Sequence, residues 1–211
     1  MAKKGLLVLV LAAVVAGGAF AQMPSLEFSA GGGFVFDGGR VGGMSGGGLD
    51  DNLNHIGFGG FLFLDATFAE LAISFMGGPA LANWEFSEYG VSESGSESGS
   101  FTALDFSLVG KFPIALGGGN MTVFPMLGIG YSVVLSSIDD EEFSASDLST
   151  FRITLGAGAD FDINENLFFR ASVLGYYRFA PSLYRDFANF PGIDAHGGFG
   201  ATVRLGIGFR F

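Results

Sequence analysis

The feature that most constrains this chain is a period of two that keeps charge off one face. Counting back from its last residue, Phe211, Phe209, Ile207, Leu205, Val203, Ala201 and Phe199 alternate with Arg210, Gly208, Gly206, Arg204, Thr202, Gly200 and Gly198. Successive side chains of a strand point to opposite faces, so this segment reads as a strand with one wholly apolar face. The alternation recurs over Ser25–Phe36, His55–Asp65, Glu70–Gly78, Phe101–Leu116, Met121–Ser136, Phe151–Ile163, Leu167–Ala180 and Gly197–Phe211, and no residue in the apolar phase of any segment is charged.

The opposite phase collects the charge. It holds Glu27, Asp65, Glu70, Asp105, Asp160 and Asp162 against Lys111, Arg152, Arg170, Arg178, Arg204 and Arg210. A soluble protein intersperses such groups over its wet surface. Here 15% of residues are charged, against about 25% in ordinary soluble domains. The 36 glycines argue against long helices, since each costs about 1 kcal/mol relative to alanine. Beyond the N-terminal segment no apolar run is long enough for a membrane helix, and only helices and closed barrels satisfy the backbone inside a bilayer. The connections 37–54, 79–100, 137–150 and 181–196 are long, whereas 66–69, 117–120 and 164–166 are short. The expected fold is therefore all-β: an eight-stranded antiparallel up-and-down transmembrane β-barrel with short periplasmic turns and long extracellular loops.

Residues 1–21 read as a cleaved signal peptide, with Lys3 and Lys4 before the apolar run Leu6–Val15 and a small-x-small site at Ala19-Phe20-Ala21. The barrel domain then spans 22–211. The absence of cysteine excludes disulfides, a lipidated cysteine and a thiol nucleophile.

With this signal segment, eight alternating segments and an aromatic terminus, the chain resembles the small eight-stranded outer-membrane proteins of the OmpA-barrel, OmpX and OmpW families. The resemblance implies location in the cell outer membrane, a monomer, no cofactor, and the lipid bilayer and barrel-assembly machinery as partners. It also implies that Val203, Leu205, Ile207, Phe209 and Phe211 are the signal this machinery reads. A barrel without the wall-binding domain of the full OmpA type is expected.

An eight-stranded interior is just wide enough for its own side chains, so the twelve inward charges are expected to pair as a lumen ion network. Centring the turn Asn164-Glu165-Asn166 sets Asp160 opposite Arg170. The same register sets Arg152 opposite Arg178, a repulsive pair unless an anion lies between them. Asp105 or a loop acid is the favoured partner, and a lipid phosphate or anionic ligand the sharper alternative. Phe61, Phe63, Phe124, Met126 and Phe168 share the inner phase and are expected to fill the lumen. Pro125 cannot donate to a ladder, which predicts a bulge within the fifth segment.

Enzyme chemistry is not expected. His55 and His196 fall at strand ends, where a histidine reads as a polar cap, and neither sits in a His-x-Ser arrangement. The loops are acidic, with Glu85, Glu88, Glu93 and Glu97 in one and Asp139, Asp140, Glu141, Glu142 and Asp147 in another. Divalent cations or host molecules are candidate partners there, although neither run has the spacing of a calcium loop. Net charge is −11, or −13 once Lys3 and Lys4 are removed, which argues against nucleic acid. Two functions remain in view. One is a structural or surface-interaction role through the acidic loops; the other is an OmpW-like passive channel for small hydrophobic molecules.

Overall fold

The computed structural model describes residues 27–88, 91–116, 120–136 and 145–211, and the expected signal segment lies outside them. Nine strands follow in order: β1 (Phe28–Gly46), β2 (Leu49–Ala66), β3 (Ala69–Glu88), β4 (Val91–Lys111), β5 (Ile114–Leu116), β6 (Met121–Ser136), β7 (Thr150–Asp162), β8 (Leu167–Arg178) and β9 (Asp194–Arg210). Every neighbour is antiparallel. β9 pairs with both β1 and β8, and β6 pairs with β4 as well as β5, which closes the ring. β4 and β5 together form one stave, so eight staves make an up-and-down barrel with the start of β1 and the end of β9 at the short-turn rim.

The alternation settles which face is which. Phe34, Phe36, Leu62, Phe75, Leu108, Leu127, Leu155, Val173 and Phe199 are exposed on the outer wall, while Val35, Phe61, Phe63, Met76, Val109, Phe124, Met126 and Phe168 are buried in the lumen. Three large lumen rings lie over a glycine on the next strand. Phe168 faces Gly208, Phe63 faces Gly31 and Phe124 faces Gly158. A Cβ on those glycines would lie 2.2, 2.6 and 2.3 Å from the ring. The glycines make the room that the rings fill.

Pro125 causes no bulge. Its pairing with β7 runs without a shift, and the irregularity falls on the opposite seam, where the β4–β5 stave breaks at Phe112 and Pro113. Phe112 donates its N–H to the Pro125 carbonyl at 3.2 Å, and the return bond is the one that proline lacks. The register across the seam is kept, Lys111 opposite Met126 and Ile114 opposite Val123. Two prolines on facing staves confine the missing donors to one short stretch near the rim.

Two expected long loops are instead continued strand. β1 and β2 stay paired to Gly46 and Leu49, and β3 and β4 to Glu88 and Val91. The β1–β2 turn is made possible by Gly46, Gly47 and Gly48, all at positive φ. β3 and β4 are 20 and 21 residues long, against 13 and 12 for β7 and β8. The excess raises one side of the barrel into a wall standing roughly 20 Å above the other, at about 3.3 Å per residue along tilted strands. Alternation fails as a boundary signal here because the wall has solvent on both faces, so neither phase need be apolar.

Opposite the wall, a 3-10 turn (Ala145–Leu148) and a six-residue helix, α1 (Ser182–Phe187), fold over the outer mouth. Ser182 donates its hydroxyl to the Asp147 carbonyl at 3.1 Å, joining the two. At a bulge between Arg40 and Gly42, Val41 keeps the inward phase of β1 and meets Tyr184, Leu53, Ala80, Phe101 and Ala103. This apolar cluster lies at the outer end of the lumen.

Candidate functional site: the lumen

The lumen holds two stacked clusters of charge. The inner one, nearer the periplasmic rim, is organised by Arg170. Its guanidinium makes a two-pronged contact with Asp160, with Nε and Nη2 each at 2.6 Å from a carboxylate oxygen. It also reaches Glu70 through Nη1 and Asp65 through Nη2, both at 2.7 Å. Lys111 bonds Asp65 as well. Glu70 passes the network to Arg204 at 3.3 Å, and Arg204 donates to Ser107 Oγ at 2.9 Å. Phe63, Phe168 and Phe124 surround the Arg170 guanidinium at 4.6, 5.0 and 5.1 Å. Desolvated contacts of that kind are worth about 2 kcal/mol or more each.

The outer cluster is organised by an acid. Asp37 accepts from His55 at 2.6 Å, Tyr176 at 2.9 Å, Arg178 at 3.4 Å and the Thr202 hydroxyl. Arg152 lies 3.9 Å from Asp37 and 3.0 Å from Asp105, which Ser132 also bonds. The Tyr176 ring sits between the two cations, 5.2 Å from Arg152 and 5.1 Å from Arg178. Arg152 and Arg178 are cross-strand neighbours as their register requires. The anions between them are Asp105 and Asp37.

Of the twelve predicted network residues, nine are brought together in these clusters: Asp65, Glu70, Asp105, Lys111, Arg152, Asp160, Arg170, Arg178 and Arg204. Asp162 and Arg210 pair separately at 2.7 Å, about a quarter exposed at the rim. Glu27 does not join. It is exposed at the strand start, where its backbone N–H donates to Thr67 Oγ1, and it forms no ion pair among the described residues. The inward phase places it beyond the last layer of lumen side chains, where water solvates it.

Asp37, His55, Tyr176 and Thr202 join the network without having been expected there. The signal for Asp37 is the odd phase of the first segment, continued one residue past Phe36. His55 is no strand-end cap: β2 runs on past it, and its ring is buried against Asp37 and edge-on to Phe101 at 5.1 Å. Val203, Leu205, Ile207, Phe209 and Phe211 lie on the outward face of the chain's last segment, all partly or fully exposed. Glu85, Glu93 and Glu97 are spread along the wall, Asp139 to Glu142 lie outside the described residues, and no group of three or more His, Asp or Glu with the geometry to hold a metal ion occurs among those described.

An antiparallel ring with an apolar outer wall and a charged interior defines a transmembrane β-barrel. The chain matches the outer membrane protein beta-barrel domain family over residues 6–211, and it belongs to that family. It is an outer-membrane protein of the small barrel type. Among solved structures it is similar to the N-terminal β-barrel domain of Pseudomonas aeruginosa OprF, at 18% identity and a TM-score of 0.40, covering 86% of this chain and 99% of that one. It is also similar to Ail, the attachment invasion locus protein of Yersinia pestis, at 13% identity and a TM-score of 0.35, covering 88% and 99%. No curated protein matches the chain.

Proposed function

We propose that this protein is a sealed structural barrel that holds a raised β-wall outside the cell for surface interaction. The observation that carries the reading is the lumen: five acids (Asp37, Asp65, Glu70, Asp105, Asp160) against five bases (Lys111, Arg152, Arg170, Arg178, Arg204), each ion-paired and nearly all fully buried. From the periplasmic rim a recess of about 240 Å³ ends on Asp65, Lys111, Asp160 and Arg170. Beneath the cap a void of about 20 Å³ lies beside His55. A solute entering from either end meets paired charge or packed apolar side chains.

The wall supplies the interaction surface. Ser92, Ser94, Ser96, Ser98 and Ser100 share one phase of β4, and Trp84 of β3 covers Gly95, with Asn83 opposite Ser96. Single-channel conductance of the refolded chain tests the sealing. A silent wild type with leaky Asp160→Ala and Arg170→Ala variants supports the sealed barrel, whereas steady wild-type conductance replaces it with a passive channel. Replacing residues 79–100 by a short turn should remove surface binding while the barrel still folds.

A further inference from the structure

Of the eight Lys and Arg beyond Lys4, only Arg40 and Arg185 point away from the lumen. Arg185 belongs to the capping helix. Arg40 is different: it stands on the lipid-facing phase of β1, in line with Phe34 and Phe36, and the bulge that turns the strand begins only after it. Four residues along a tilted strand place it about 10 Å beyond Phe36, at the level where headgroups follow the aromatic belt. Its side chain is exposed and makes no ion pair or hydrogen bond among the described residues.

The surroundings form a site. Asn54 is the cross-strand partner of Arg40, and its amide donates one hydrogen to Asn52 Oδ1 at 2.9 Å, leaving the second free. A cleft of about 540 Å³ opens between Arg40, Asn54, Gly197 and Phe199. On the membrane side of it, Gly38 is flanked by Ala201 on β9 and Ile56 on β2. Small residues thus floor a shallow groove whose sides are Ile56 and Phe199, exposed at 66% and 72%. The Tyr177 ring packs against Phe199 at 4.9 Å and fixes that side.

We propose that Arg40 and Asn54 bind the phosphate headgroup of an anionic membrane lipid, with one acyl chain lying over Gly38 and Ala201 between Phe199 and Ile56. A lipid is favoured over a free anion because the cation sits directly above an apolar groove.

The test measures lipid retained by the refolded full barrel in nonionic micelles by native mass spectrometry. The probes are dimyristoyl phosphatidic acid and a phosphatidylcholine of the same chain length. Wild type and Arg185→Gln should retain the anionic lipid about fivefold over the zwitterionic one, the factor one basic residue contributes near a surface. Arg40→Gln should lose that preference while keeping the folded, heat-modifiable mobility. An unchanged preference in Arg40→Gln overturns the site. Displacement of the anionic lipid by millimolar inorganic phosphate also overturns it, because the groove would then add nothing to a simple anion site.

Discussion

The two charge clusters are inverses of each other. In the inner one a single cation, Arg170, gathers three carboxylates; in the outer one a single carboxylate, Asp37, gathers two arginines, a histidine, a tyrosine and a threonine. Arg170 spreads its charge over a planar fork, so three acids can be served from different edges while phenylalanine rings cover its faces. Asp37 has only two oxygens, and neutral donors complete its shell where more cations would repel. A buried cluster can therefore be centred on either sign, provided the excess on the other side is separated by geometry or diluted with neutral hydrogen bonds.

The inner hub should be the harder to lose. Arg170→Leu strands Asp65, Glu70 and Asp160, and breaking a buried pair from one side costs about 3–5 kcal/mol. We expect at least the upper figure, read from urea unfolding of the barrel in lipid bilayers; a loss below about 2 kcal/mol would show that the acids re-pair with Lys111 and Arg204. Asp37→Asn should cost less, about 3 kcal/mol, because the amide still accepts from Tyr176 or Thr202. A larger loss for Asp37→Asn than for Arg170→Leu would reverse the comparison.

A double-mutant cycle on Asp160 and Arg170 sharpens it further. Coupling of about 1.5–3 kcal/mol is expected for this bidentate, ring-covered pair. The same cycle on Asp162 and Arg210 should give no more than about 1 kcal/mol, since water reaches both. The smallest effect concerns the wall. Burial holds the Asp51 carboxyl above its ordinary 3.8, and neighbouring Asp50 adds to this, against opposing effects of the Asn52 backbone and His196. The folded wall therefore keeps a proton that the unfolded strand releases, so its stability should rise as pH falls through that raised value and level off below 3.8. Hydrogen exchange over Leu49–Asn54, compared with Asp51→Asn, reads the difference.

The inner cluster was the more legible in sequence because a three-residue turn fixes the β7–β8 register, and Asp160 opposite Arg170 follows from counting. Asp37 stands one residue past the apolar alternation that reveals the others. An apolar outer face marks a strand only while lipid covers it, and Gly38 and Arg40 end that signal just where Asp37 enters the lumen. The same loss of lipid contact made the wall read as loop.

What the sequence determined by itself was the period: eight segments, one apolar face each, and charge confined to the other. That follows because lipid outside and a narrow lumen inside impose opposite solvents on alternate residues. Which acid meets which base belongs to the tertiary structure. Glu70 and Arg170 are 100 residues apart in the chain, and Asp37 and Thr202 are 165 apart. Only ring closure and the shared register of the staves bring such pairs to one level of the barrel, where low dielectric makes each pairing decisive.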